Sequence, residues 1–295
     1  MKLIRPNTMT PAMLISSTAT ELYATWASGT TYAAAVRVIY GVGIYESLQA
    51  SNTNRQPDTN PTWWTYIGPS NKWAMFDGQV STATTRSASL TAVFSTGIMD
   101  ALAVVIDAEM VTLTVRDGAG GPIVHQRSAS VTGSEVADWY EYFFNDPTVR
   151  KTLAIFYDIP PFASSVATLE ITSGGLVSLG MVTFGRINVL GDSQFGAQAG
   201  ITDYSRKETD DFGNTTFVKR AFAKRMTVSV QVQSLQINRV QRVLYDLRAT
   251  PVLWIATDAP EFSEPMTVFG FYRDFYCAIN APTVSTYQLE IEGLI

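Results

Sequence analysis

The residues best suited to chemistry in this chain are aromatic. Trp63, Trp64 and Trp73 are three of its six tryptophans and fall within eleven positions, with Tyr66 among them and Tyr45 upstream. An aromatic π face stacks against the C–H face of a pyranose ring, so these five side chains are candidates for holding a sugar. The same rings equally suit the core of a β unit too small to have any other. Both readings stand on the sequence alone. A second cluster is charged: Arg206, Lys207, Glu208, Asp210, Asp211, Lys219, Arg220, Lys224 and Arg225 mix both signs beside strand-like runs. That mixture fits a solvated hairpin tip or a subunit interface.

Patterns for catalysis are scarce. Enzymes position acids, bases or nucleophiles, yet His125 is the only histidine and sits in an alternating run, where a surface or packed role outweighs that of a general base. No Gly-x-Ser-x-Gly, no phosphate-cradling glycine loop before a helix and no His-Glu-x-x-His occurs. Asp211-Phe212-Gly213 has the letters of a kinase trio without the loops that give it meaning. Asp210, Asp211 and Asn214 offer oxygens of the kind calcium takes, against the plainer reading of a polar turn. A glycosidase carboxylate pair would lie across strands and leave no local signature. Cys277 is the only cysteine, which excludes an intrachain disulfide and a thiolate metal site. The expectation is a non-enzyme with no cofactor and no metal.

Positioning any of these groups falls to strands. Thr, Ser, Val, Tyr and Phe are plentiful and long Ala/Leu/Glu/Lys runs are absent. At 295 residues the chain exceeds one typical domain. Formal net charge is −5; residues 1–180 hold 10 basic and 14 acidic groups, and residues 181–295 hold 11 and 12. Neither part has the positive surplus that phosphate neutralisation needs, so nucleic-acid binding is not expected. No stretch approaches the ~20 apolar residues of a membrane span, and no signal-peptide pattern follows Met1. A soluble protein made in the cytoplasm is expected.

Four segments emerge. Residues 1–20 read as an N-terminal arm with one apolar run, Ala12 to Ile15, which is either a strand or an arm lying on a neighbour. Residues 21–72 read as a small β unit: Val36, Val38 and Tyr40 alternate, Gly41-Val42-Gly43 turns, and Ile44 to Ser47 returns as a hairpin. Gly68-Pro69-Ser70-Asn71 is turn chemistry that brings the tryptophans to a corner. Residues 73–182 read as a jelly-roll-like β-sandwich, with strand-like runs at 90–94, 101–106, 111–115, 123–125, 140–144, 152–156 and 167–171. Val111, Leu113 and Val115 face one way and Thr112 and Thr114 the other. Residues 183–295 add strands at 182–189, 226–232, 252–255, 266–271 and 286–292 and one amphipathic helix, Ser234 to Arg248. Its apolar face is Leu235, Val240, Val243, Leu244 and Leu247; Ser234 is the N-cap and Pro251 the stop. The fold class is therefore all-β, mainly antiparallel, ending in a β-sandwich with one α-helix.

Two resemblances add to this. Trp26, Gly29, Thr31, Tyr32, Val38, Tyr40, Gly43 and Tyr45, followed by Pro61 with Trp63 or Trp64, resemble the small chitin-binding modules of carbohydrate-active enzymes. The charged segment 203–225, Leu247 to Ile255, Phe269 to Phe275 and the closing Leu289 to Leu294 resemble a tail protein of long-tailed bacteriophages, and so does the seam 68–77. The second resemblance implies a tail-tip or baseplate component, located in the virion and made in the host cytoplasm. Residues 183–295 would be the ring-forming fold of tail-tube and distal-tail proteins. The ring would be homo-oligomeric, sixfold by family analogy, closed through sheet-edge contacts and the charged residues named above, and would join the tail tube to hub and fibres. In the best-known distal-tail layout the ring domain comes first, so here either the order is reversed or the N-terminal region is an insertion. Two alternatives from other classes remain: a module recognising host surface glycans, and a cell-wall glycan hydrolase.

Overall fold

The alternation of apolar and polar residues is realised as antiparallel strands throughout. The computed structural model describes residues 1–131, 139–144, 152–209, 212–259, 262–279 and 281–294. Every strand pairing whose register is described is antiparallel. The chain divides into two units, one made of Met1–Asn7 with Thr183–Ile295 and the other of Thr8–Val182.

The first unit corrects the expected arm. Lys2–Pro6 is a strand held on both sides, pairing with residues 185–189 and with Val252–Ile255. Leu3 and Ile4 are adjacent and both fully buried, so both faces of this strand are covered. The other half of the expected arm, from Thr8 onward, belongs to the second unit, where Leu14–Ser17 pairs with Thr84–Ser95. Residues 8–182 are thus an insertion after the first strand of the C-terminal unit. Asn7 N–H donates to the Phe184 carbonyl at 2.8 Å, so the chain leaves and re-enters at neighbouring points.

Strand order in this unit runs 183–189, Lys2–Pro6, Val252–Ile255, Thr267–Ala278, Val284–Gly293, Phe222–Gln233, then Asp192–Ser193 and Gln198–Asp203. Period-2 alternation puts Met226, Val228, Val230 and Val232 on one face beside Tyr287, Leu289 and Ile291. The helix Ile237–Asp246 covers that face with Val240 and Leu244, joined by Leu247 just beyond it, all in one core with Leu3 and Trp254. Buried polar atoms are satisfied: Trp254 Nε1 donates to the Gly270 carbonyl, Tyr287 OH to that of Leu190 and Tyr272 OH to that of Leu244. Two details of the helix differ from expectation. Ser234 does not cap it; its hydroxyl meets Ser285 Oγ, and a 3-10 turn, Ser234–Gln236, precedes the helix. That turn rotates Leu235 off the apolar stripe, leaving it 95% exposed, and Ile237 packs instead.

In the second unit Ser165–Val189, up to Val182, is the axis of a β-sandwich-like arrangement. Its early part pairs with Met110–Asp117 on one side and Thr84–Ser95 on the other. Met110–Asp117 continues through the Gly118–Pro122 loop into Ile123–Ser130, and Ala101–Asp107 pairs with Leu153–Phe156. Val111, Leu113 and Val115 are fully buried, while Thr112 reaches the Ser128 hydroxyl. The expected strand 140–144 is instead a six-residue helix, Trp139–Phe144. Aromatics favour strands intrinsically, but here Trp139 meets Phe143 and Tyr140 meets Phe144, the i,i+4 spacing that a helix brings together. No helix among the described residues is long and apolar enough to cross a membrane.

Candidate functional site

The aromatic residues belong to a nested piece, inserted between the paired strands Leu14–Ser17 and Thr84–Ser95. Arg37–Tyr40, Gly43–Ser47 and Trp64–Pro69 form a three-stranded sheet. The tight turn at Gly41, with φ 61°, sets the hairpin register so that Tyr40 faces Gly43 and Val38 faces Tyr45. Tyr45 in turn faces Tyr66. Directly opposed residues in an antiparallel pair share a face, so Val38, Tyr40, Tyr45, Tyr66 and Trp64 line one side. On the other side Arg37 Nε donates to Glu46 Oε2 at 2.7 Å.

Along the aromatic side the rings meet edge to face. Centroids are 5.6 Å apart for Trp26–Tyr40, 6.4 Å for Tyr40–Tyr45 and 5.5 Å for Tyr45–Tyr66, with interplanar angles of 89°, 73° and 70°. This is the geometry that ring quadrupoles favour. Consecutive faces are therefore not coplanar, and the row offers no flat shelf for several sugars. Tyr66, at 57% exposure, offers a single ring. It lies over Gly43, where a Cβ would come within 2.5 Å of its Cε2. Burial raises the phenol pKa of both Tyr45 and Tyr66 above the usual value.

The other candidates separate. Trp64 is a core residue, 2% exposed, edge-on to Tyr32 at 5.3 Å and donating Nε1–H to the Arg55 carbonyl at 2.8 Å. It has no face to give a sugar, which corrects that expectation. Trp63 is half-buried, with the Arg55 guanidinium 3.9 Å over its ring. Trp73 is half-buried and packs against Phe76, which packs against Phe94. Sequence reasoning passed over Tyr40 and Trp26 as site residues, although the two-residue turn implies that Tyr40 shares the face of Tyr45. It also missed Glu21, whose carboxylate accepts from Ser70 Oγ and from the Asn71 and Lys72 N–H groups. Asn71 completes this clasp: Nδ2 donates to the Thr20 and Thr85 carbonyls, and Oδ1 accepts from the Thr85 N–H. Nothing local in the sequence marks Glu21, since its partners lie about fifty positions on.

The charged segment of the other unit forms a hairpin, Arg206–Thr209 with Thr215–Val218, as a separate two-stranded sheet. All eight of its strand residues are exposed. Arg206 pairs with Glu208 along one strand at 3.3 Å, leaving Lys207 on the opposite side. At its base the Ser205 hydroxyl accepts the Arg220 N–H. Hydrogen bonds from Ser205 hold the Asp203 carboxyl below the usual carboxylate range. Lys219 and Arg220 are exposed beside it. Lys224 and Arg225 sit apart, in the core-sheet strand, where Arg225 pairs with Glu290 and Lys224 Nζ reaches the Glu264 carbonyl. Asp210 and Asp211 lie outside the described residues, so the calcium reading that rests on them has no described geometry. His125 is half-buried opposite Val115, and its pKa is lowered, by burial first and then by Arg127. No family model matches this chain, and a search of curated proteins finds no match.

Proposed function

We propose that this chain is a structural subunit of a bacteriophage tail tip, forming a ring through the unit built from residues 1–7 and 183–294. One observation carries the reading: the 206–218 hairpin stands as a two-stranded sheet with every strand residue exposed. An isolated two-stranded hairpin is marginal in water, and one bearing exposed Phe212 and Phe217 beside mixed charges suits burial against a neighbour. The insertion of residues 8–182 after the first strand accommodates the order of domains that the phage-tail resemblance requires. Electron microscopy and sedimentation of the purified full chain test this. Closed rings are the expected result; a monomer at every concentration, together with absence from purified tails, refutes it.

A second reading is supported by the exposed Tyr66 ring beside Tyr45: the nested aromatic piece takes one sugar ring of a surface glycan. Titration with soluble oligosaccharides, followed by intrinsic fluorescence, checks it. Binding that Tyr66→Ala abolishes and Trp64→Phe spares supports the reading; no response to any sugar removes it.

A further inference from the structure

We infer that the helix Trp139–Phe144 is a lipid-binding element, which beds its rings into the interfacial layer of a bilayer with zwitterionic headgroups. The inference concerns the second unit alone and rests on neither reading above. Trp139, Tyr140, Phe143 and Phe144 are 78%, 72%, 69% and 73% exposed. Folded chains rarely leave a contiguous aromatic patch in water, and such a patch marks a surface that meets a protein or a membrane.

Local geometry gathers the four rings on one flank. Trp139 stacks on Phe143 with centroids 6.4 Å apart and planes at 23°, and Tyr140 meets Phe144 at 4.9 Å and 33°. Neighbouring positions on a helix are about 100° apart, so the two pairs stand side by side. The helix lies in the connection between Ile123–Ser130 and Leu153–Phe156. Among the described residues each of those strands pairs on one side only. The helix therefore hangs between two edge strands, and none of these four rings enters the core.

Area separates the two kinds of partner. A fully buried aromatic covers about 150–250 Å², so four at this exposure offer at most roughly 600 Å². A protein seated on one flank covers only the outer part of that, well short of the ~800 Å² per side of a stable interface. A bilayer has no shape to match and closes around the rings. Ring chemistry agrees. Trp and Tyr join an apolar body to a polar tip, which suits the boundary between hydrocarbon and water. Six residues make a helix about 9 Å long, far too short to span. It is the right scale to lie flat at the ~5–10 Å depth where interfacial helices sit. Charge selects the lipid: residues 132–152 hold four acidic and two basic groups, so an anionic surface repels the segment and a zwitterionic one does not.

Flotation of the full-length protein with phosphatidylcholine vesicles tests this. The wild type is expected to float with them, and no better with vesicles containing phosphatidylglycerol. The double variant Trp139→Ser, Phe143→Ser should partition about a hundredfold more weakly, roughly tenfold for each ring lost. Its melting should match the wild type, because both positions are on the surface. Trp139→Phe keeps a ring and should float like the wild type, but should lose the fluorescence quenching that brominated lipid produces in the wild type. No flotation with any vesicle, or a double variant that floats unchanged, overturns the inference. Binding confined to phosphatidylglycerol and reversed by salt does the same. So does a double variant that loses self-association in sedimentation instead of flotation, which makes a second copy the cover. Should the double variant melt early, brominated-lipid quenching decides alone, and equal quenching of wild type and Trp139→Phe overturns the proposal.

Discussion

Leu3→Ala tests the division of the chain most directly. Leu3 is fully buried in the core that holds Trp254, Met226 and Leu289, and stands opposite Trp254 on one side and Asn188 on the other. A buried Leu→Ala change costs about 3 kcal/mol, lost transfer energy plus the cavity left behind. In a unit of this size that corresponds to a fall in melting temperature of roughly 10 °C. Hydrogen exchange read peptide by peptide separates the units. Amides of Phe222–Gln233 and Val284–Gly293 that open only by global unfolding of their unit should exchange roughly a hundredfold faster. Those of Thr84–Ser95 and Met110–Asp117 should keep wild-type rates. Equal acceleration in both sets, or acceleration confined to the second, refutes the assignment of residues 1–7 to the C-terminal unit.

Asn71→Ala removes three side-chain hydrogen bonds of the clasp, about 2–3 kcal/mol in total, and should lower the melting of the residue 8–182 unit alone by calorimetry. Gly43→Ala places a methyl against the Tyr66 ring; a crystal structure should show that ring turned outward, and an unmoved ring would contradict the packing described. Tyr287 is buried and its phenol pKa is raised far above the unfolded value near 10, so the folded state keeps its proton where the unfolded state loses it. Stability is therefore unaffected below about pH 10 and falls above it by up to ~1.4 kcal/mol per pH unit. Urea titrations of Tyr287→Phe should show a shallower alkaline fall, together with about 1 kcal/mol lost at neutral pH with the bond to the Leu190 carbonyl.

Local periodicity made much of this fold legible. Val111 to Val115 and Val252 to Ile255 form strands where alternation or a short apolar run marked them, and the helix follows its three-and-four spacing at Val240 and Leu244. What failed depended on distant partners. Lys2–Pro6 looked like an arm because the strands that bury it begin about 180 and 250 positions later. Trp139 to Phe144 reads as a strand by residue type, and only i,i+4 ring contacts favour a helix there. At the aromatic site the residue types were readable, but exposure was not. Trp64 and Tyr66 are two apart on one strand and one face, yet the first is core and the second is surface. That difference is set by Tyr32, Val38 and the Arg55 carbonyl, which the local pattern does not place.

The position of Lys2–Pro6 also governs how the molecule is born. This strand is translated some 250 codons before its second partner, Val252–Ile255, is complete. At ~5–20 residues per second the wait is roughly 10–50 s. Over that interval Leu3 and Ile4 lack the Trp254 and Leu253 partners they meet in the finished sheet, while residues 8–182 hold the partners named for their own strands. The sheet of the unit built from residues 1–7 and 183–294 therefore closes late, only after the whole inserted unit has been made.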